Sequence, residues 1–465
     1  MAKVVVIGGG IAGCGAALAA RKAGSEVTLL ERTDLLMGQA IIGPVINTNG
    51  KFTIAEEAAA MGGGDIKEIF ESSALPSNEK LKQVVLDASK TATPQFGPEY
   101  VKGWLHGYYY DGVAAEVAIR KLLPEMGVQI RYNIRATDVT KVKNRLTAVK
   151  LANGDVVEGD AFVDCTGANC TMSQAKRYGN ACVMCSFYRC PTFGDRVSIA
   201  GKAGAREFVI RAPDGTPGFS TALMVYKETL SLELQQKFRE DARVIVPYKG
   251  FTDWVPDLAS SYVLSGHRGF DTETGEPEDP RSCFRHPSKT GSMGFMDCGS
   301  SGFALAAVGP ISTEKLRQLP GFEKAIKAHP QGDTGNFIRG LSVTPHDASL
   351  KVTGLENLFV AGEKTGCCAV MECHSTGLLA GHNAVRAAMR MNLLVPPRST
   401  VIGDFVAFGI ELNRAKGGQT KVYSCEGGLF FTRMIDTGLY TTDVEKIKQN
   451  VASTGLTEIY ARKLT

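Results

Sequence analysis

Val4-Val5-Val6-Ile7-Gly8-Gly9-Gly10-Ile11-Ala12-Gly13 is the stretch on which the fold turns. Its four β-branched apolar residues suit a parallel strand buried on both faces. The G-x-G-x-x-G that follows opens an alanine-rich helix from Cys14 to about Lys22, which Gly24 ends. Val27 to Leu30 then form a second apolar strand closing on Glu31. In such a unit Gly8 permits a tight turn, Gly10 lets a pyrophosphate reach the backbone, and Gly13 lets helix and strand pack closely. The free N–H groups at the helix start, near Ile11 and Ala12, and the positive end of the helix dipole bind phosphate. Glu31, 18 residues beyond Gly13, can accept hydrogen bonds from an adenosine ribose and repels a 2′-phosphate there. The expectation is an α/β chain built on a dinucleotide-binding Rossmann unit.

The rest of the chain bounds what that unit serves. It has 465 residues, 52 basic and 48 acidic, for a formal net charge of +4, with 44% hydrophobic and 22% charged residues. That composition is globular, and at roughly 100–200 residues per domain the length suits about three. So small a charge announces neither nucleic acid nor an anionic membrane as partner. No apolar run approaches the ~18 residues a spanning helix needs. The first residues are too short and too soon interrupted by glycine for an export signal. A cytoplasmic protein is expected, its 12 cysteines read as reduced thiols, metal ligands or redox groups rather than a disulfide scaffold.

Three later features bear on the choice of dinucleotide. Helical spacing over residues 113–126 is followed by strands at 128–132, 139–142 and 146–151, an Asn153-Gly154 turn, and the apolar run Ala161-Phe162-Val163-Asp164-Cys165-Thr166-Gly167. A meander leading to a Thr-Gly turn resembles the second nucleotide contact of two-dinucleotide-fold flavoproteins. Asn357-Leu358-Phe359-Val360-Ala361-Gly362-Glu363 is a further strand closing on glycine and an acid, and the resemblance implies that Glu363 holds the ribityl chain of FAD. A helix from Gly377 to Ala384 follows, its N-terminus toward the flavin. No second G-x-G-x-x-G follows a strand; Met61-Gly62-Gly63-Gly64 has Lys67 where the last glycine belongs, so no dedicated NAD(P)H domain is expected.

Residues 362–384, GEKTGCCAVMECHSTGLLAGHNA, resemble without gaps the C-terminal FAD signature of the flavoproteins that modify tRNA uridines, the folate-dependent tRNA uracil-5 methyltransferases and the carboxymethylaminomethyl-uridine enzymes. Thr365, Gly366, Glu372, Gly377, Leu378, Leu379, Ala380, Gly381, Asn383 and Ala384 are the matching positions. Residues 395–400 and Gly403 look like the same family's continuation, while 1–50 and 105–167 are similar to the broader FAD-dependent oxidoreductases. The resemblance implies FAD contacts from Gly8, Gly10, Ile11, Ala12, Gly13, Glu31, Arg32, Gly38, Gln39, Thr166, Gly167, Gly362, Glu363, Ser375, Thr376, Gly377 and Leu378. One departure stands out. Cys367-Cys368 occupies the place of a hydrophobic residue and an acid, and Cys373-His374 the place of small residues.

Those four, Cys367, Cys368, Cys373 and His374, are the candidate catalytic residues: thiols as redox or nucleophilic groups, His374 as proton donor or base. They are expected between the FAD strand and its helix. Elsewhere Cys170, Cys182, Cys185 and Cys190, the last followed by Pro191, supply four thiolates for an iron–sulfur cluster of the [4Fe-4S] type. A redox dithiol at Cys182/Cys185 and inert buried thiols are the other readings of that run.

The expected organisation is a discontinuous FAD domain (1–50, 105–170 and 335–395), a helical insertion (51–104), a β-rich substrate and cysteine-rich domain (171–334), and a C-terminal segment (396–465) able to pack on a second subunit. Three functions fit. The first is an FAD-dependent oxidoreductase acting on a small molecule, with an iron–sulfur relay. The second is an RNA-modifying flavoenzyme, the third an electron-transfer subunit serving a partner protein.

Overall fold

The computed structural model describes residues 1–41, 45–46, 51–74, 108–167, 198–209, 220–225, 227–240, 243–247, 292–297, 303–307, 313–326, 334–337, 342–367, 369–415, 425 and 428–464. Strand β1 (Lys3–Ile7), helix α1 (Ile11–Lys22) and strand β2 (Glu26–Leu30) form the expected βαβ unit. Further along come α2 (Lys51–Ala58), α3 (Gly112–Glu125), β3 (Val128–Arg131), a meander β4 (Ala136–Val142), β5 (Arg145–Leu151) and β6 (Val156–Glu158), then β7 (Ala161–Asp164), β8 (Leu358–Val360), α4 (Val370–Ala388) and α5 (Val401–Arg414). A five-stranded sheet runs β8-β7-β1-β2-β3, every neighbour parallel, so one layer joins strands from residue 3 to residue 360. This is the Rossmann-type α/β fold.

Strand alternation assigns the two faces. Val4, Val6 and Leu29 enter the helical core, whereas Val5, Ile7, Leu30, Phe162, Leu358 and Val360 pack against Leu146, Val149 and Leu151 of the meander. Asn357 ties the layers together. Its buried amide donates to the carbonyls of Leu146 (2.9 Å) and Asp160 (2.8 Å) and accepts from the Leu146 N–H (2.9 Å). A second five-stranded sheet, antiparallel at every pairing, contains residues Ser220–Val225, Arg243–Pro247, Ser292–Asp297, Phe303–Ala307 and Thr334–Phe337.

The helical face is unusually tight because its residues are small. Ten consecutive residues of α1, Ile11 to Ala20, are buried. Helix α4 crosses it so closely that a Cβ at Gly377 would lie 2.2 Å from the Ala12 carbonyl, and one at Gly381 would lie 2.1 Å from that of Ala16. Helix α2 and the helix Asp65–Ser72 fall in the stretch read as a polar insertion, yet Ile54, Ala55, Ile66 and Phe70 join the same core as Val4. Glu57 of α2 caps the start of α5, accepting from Val401 N (2.7 Å) and Ile402 N (2.8 Å). Burial nonetheless pushes its carboxyl up to about 7. Residues near 460 return to the first unit, Leu464 N–H donating to Ala23 O (2.9 Å). Among the described residues, no helix is long and apolar enough to cross a membrane.

Helix α4 begins at Val370, seven residues before the start read from the sequence. Cys373 and His374 are therefore helical residues, not part of the loop that precedes the helix. Packing against α1 overrides the weak helical propensity of the Cys373–Thr376 run.

Candidate functional site

Three segments converge at the C-terminal ends of β1, β7 and β8, where an open α/β sheet binds its ligands. In the first, Gly8 has φ +103°, and a Cβ there would lie 2.4 Å from the Cys165 carbonyl. A Cβ at Gly13 would lie 1.8 Å from Gly8 O. Gly10 is the opposite case: nothing lies within 4 Å of where its Cβ would be, and no side chain caps α1 at this end. The cradle a phosphate needs, open space before helical N–H groups, is present.

Glu31 is held beside it. One carboxylate oxygen accepts from Gly9 N (2.7 Å), the other from Thr33 N (2.8 Å) and Thr33 Oγ1 (2.9 Å). The next residues fold back: Arg32 is half-buried, and Met37 bridges to Gly10. Gly38 and Gln39 consequently begin the short turn Gly38–Ile41 next to the glycine loop. Glu116 of α3 anchors this loop through Leu36 N (2.9 Å) and pairs with Arg120 (2.7 Å).

The second segment is Thr166-Gly167. Asp164 at the end of β7 accepts from Thr166 N (3.0 Å) and Oγ1 (2.7 Å) with one oxygen, and from Ala200 N (2.8 Å) with the other. The third is Gly362-Glu363. A Cβ on Gly167 would lie 3.7 Å from Glu363 Oε2, and one on Gly362 would meet Ala12 Cβ at 2.8 Å and Cys373 Sγ at 3.4 Å. Gly362 N–H donates to Thr376 Oγ1 (3.0 Å). The structure thus brings together Ile11, Ala12 and Gly13 with Gly362, Cys373, Thr376 and Gly377, and sets Gly167 against Glu363. These residues fit FAD: an uncapped helix start for the pyrophosphate, the fixed Glu31 carboxylate beside it, and the Glu363 carboxylate next to Gly167.

Not every candidate faces this cluster. His374 Nε2 lies 2.9 Å from the Gly63 carbonyl, and burial lowers its pKa to about 4. Leu378, one helical turn on, presses its side chain on the same Gly63. At i and i+4, His374 and Leu378 share the α4 face turned to Gly63. Ser375 is buried, its hydroxyl without a hydrogen-bond partner among the described residues.

Cys367 is buried with Sγ 3.3 Å from Gly362 O, and the half-buried Cys373 is close enough for the two thiols to interact. That interaction, followed by burial, pushes the Cys373 thiol well above the ordinary range. Cys14 is pushed up to about 12, chiefly by burial. Cys368, Cys170, Cys182, Cys185 and Cys190 lie outside the described residues, and among the described residues no group of three or more His, Cys, Asp or Glu is placed to hold a metal ion.

Sequence reasoning missed one group altogether. The buried Lys364 ammonium pairs with Glu207 and donates to Ser198 Oγ (2.7 Å). Glu207 also accepts from Ser198 Oγ (2.6 Å) and Thr344 Oγ1 (2.5 Å). Burial works to raise this carboxyl, but Lys364 and the two hydroxyls hold it below the ordinary range. The network braces the Gly362–Thr365 turn against the helix Ile199–Ala203. Its only signal was a lysine directly after the acid of the FAD motif.

Comparison with known proteins agrees with this geometry. Residues 3–176 match the FAD dependent oxidoreductase family, and residues 301–392 match the glucose inhibited division protein A family. A methylenetetrahydrofolate–tRNA-(uracil-5-)-methyltransferase TrmFO from Paramagnetospirillum magneticum is 38% identical over 89 residues, covering 19% of this chain and 20% of that protein. The same enzyme from Citrifermentans bemidjiense is 28% identical over 132 residues, covering 28% and 29%. The chain therefore matches less than a third of the length of these curated relatives. The structure of Aquifex aeolicus GidA superimposes over 100% of this chain and 74% of its own, with a TM-score of 0.59 and 16% identity, a likeness of fold. The chain is thus similar to FAD-dependent oxidoreductases over its N-terminal part and to tRNA-uridine-modifying flavoproteins over shorter segments, with a GidA-like fold.

Proposed function

We propose that the protein is an FAD-dependent oxidoreductase that acts on a small molecule beside the Gly362–Cys373 segment. The observation that carries this is the convergence of the uncapped α1 N-terminus, Thr166-Gly167 and Gly362-Glu363 on one side of a parallel sheet. Bound FAD supplies a reversible two-electron carrier. The chain's own part is to hold it: the N–H groups of Ile11 to Gly13 for the pyrophosphate, Glu31 for the adenosine ribose, and Glu363 for the ribityl hydroxyls. Buried Lys364 and Asp164 keep the two glycine turns in register, and the thiols of Cys367 and Cys373 line the edge where Gly362 meets Ala12. Protein denatured by heat should release FAD in near-stoichiometric amount; release of none, and failure to take any up, overturns the proposal.

Modification of tRNA uridines is the second reading, favoured by the relatives' names. It requires affinity for tRNA that falls steeply as salt rises, whereas action on a small molecule leaves binding nearly independent of salt. For the Cys170, Cys182, Cys185 and Cys190 group, iron and acid-labile sulfide analysis of protein isolated without air separates a cluster relay from a redox dithiol or structural thiols.

A further inference from the structure

We propose that Cys367 and Cys373 form a reversible dithiol–disulfide pair, a second two-electron carrier that exchanges electrons with FAD held at the α1–Gly362 junction. The inference rests on the FAD reading above and deepens it.

Both sulfurs converge on one backbone position. Cys367 Sγ lies 3.3 Å from the Gly362 carbonyl oxygen, and Cys373 Sγ lies 3.4 Å from where a Gly362 Cβ would be. Cys367 is also the neighbour that acts most strongly on the Cys373 thiol, raising its pKa. Gly362 is the residue that meets Ala12 at the start of α1, so the pair sits at the junction of the two FAD-holding segments. The neighbouring Cys367-Cys368 pair is the poorer candidate for a bridge: adjacent Cα atoms are about 3.8 Å apart, whereas relaxed disulfides span about 4.4–6.8 Å. Cys367 and Cys373 are separated by the turn at Ala369, whose φ of +98° is rare for a residue with a side chain, and by the first turn of α4.

The environment also suits exchange between neutral forms. The neighbouring Cys367 thiol and burial, with Glu363 and Glu372 close by, keep Cys373 protonated. In the forward direction the two S–H bonds break, one S–S bond forms, and two electrons and two protons pass to FAD, giving FADH2. The reverse consumes FADH2 and restores two thiols. No net charge accumulates in the buried site in either direction. The class of reaction served is a two-electron reduction or oxidation for which flavin and pair together hold four electrons.

The test uses the full chain isolated without air. One portion is oxidised with diamide and one reduced with dithionite; free thiols are alkylated, and peptides are mapped by mass without further reduction. A Cys367–Cys373 link in the oxidised portion, absent from the reduced one, is expected. A link from Cys368 to either residue, or none, overturns the pair. In parallel, anaerobic dithionite titration of FAD-loaded oxidised protein should consume two more electrons per chain in the native protein than in Cys373→Ser or Cys367→Ser; equal uptake overturns the exchange. Should a serine variant fail to fold, the peptide map of the native chain still decides the pair. Protein that retains no FAD sinks the cofactor reading and the exchange with it, whereas FAD-loaded protein without the Cys367–Cys373 link sinks the pair alone.

Discussion

The two halves of the FAD-holding region, Gly8–Gly13 and Gly362–Gly381, do the same job by different means. The first is nearly all backbone: its geometry follows from glycines, and its contacts come from β1, β7 and the nearby loop. The second is crowded with reactive and charged side chains, among them Cys367, Cys373, Glu363 and Lys364, braced by residues as distant as Glu207. A phosphate cradle can be generic because a backbone N–H is the same in every protein. The half that carries chemistry cannot be, and it depends on the rest of the chain to hold it.

The sharpest way to break this contrast is at the glycines. Gly377→Leu would drive a side chain into Ala12 O, 2.2 Å from the first carbon alone, and separate α1 from α4. A cost above about 4 kcal/mol is expected, read as loss of the cooperative thermal transition and of soluble yield. Gly10→Ala adds a methyl where nothing lies within 4 Å. Its melting temperature should stay within a few degrees while FAD affinity drops at least tenfold. Equal effects of the two substitutions would remove the distinction between packing glycines and binding glycines.

Next in size is the remote brace. Lys364→Met leaves Glu207 buried without its cation, and breaking such a pair costs about 3–5 kcal/mol. A Lys364→Met/Glu207→Leu double variant should recover part of that in urea unfolding. No recovery would mean that the pair acts through packing alone.

Two buried titrating groups give opposite slopes with pH. His374 has a folded pKa of about 4, below the 6.5 of an unperturbed histidine. Its contribution is intact above pH 6.5 and is lost as pH falls toward 4, because the unfolded chain takes the proton first. Glu57 has a folded pKa of about 7, above 4.5. Its contribution is intact below pH 4.5 and is lost as pH rises toward 7. Each carries about 3 kcal/mol at most. Urea unfolding across pH 4.5–7.5 should show that His374→Asn removes the acid-side loss and Glu57→Gln the loss toward neutrality. The smallest effect is expected at Arg131–Asp155, an exposed pair at 2.7 Å, where Arg131→Ala should leave the melting temperature unchanged.

What could be read from the sequence follows the same division. The βαβ unit and β8 were legible because burial on a parallel sheet writes itself as continuous apolar runs, the antiparallel meander because its strands flank an Asn153-Gly154 turn, and the glycine loop because only glycine fits there. The start of α4 was not legible: Cys373, His374, Ser375 and Thr376 look like loop residues until α1 lies against them. His374 looked like an acid–base group because histidine beside a cofactor motif usually earns that reading, and only the third dimension turns it to Gly63. Glu207, Asp164 and Lys364 are ordinary charges in sequence. Their meeting depends on contacts across 157 residues, which no local pattern encodes.

Helix α1 is synthesised long before it is fully enclosed. Its partners, α4 and the strand of chain around Leu464 that bonds Ala23, are synthesised more than 350 residues later. The growing chain therefore carries an alanine-rich helix whose α4-facing side stays uncovered until residues 370–388 arrive, and surface left open so long favours aggregation. Truncation anywhere before α4 should yield aggregates rather than a smaller nucleotide binder.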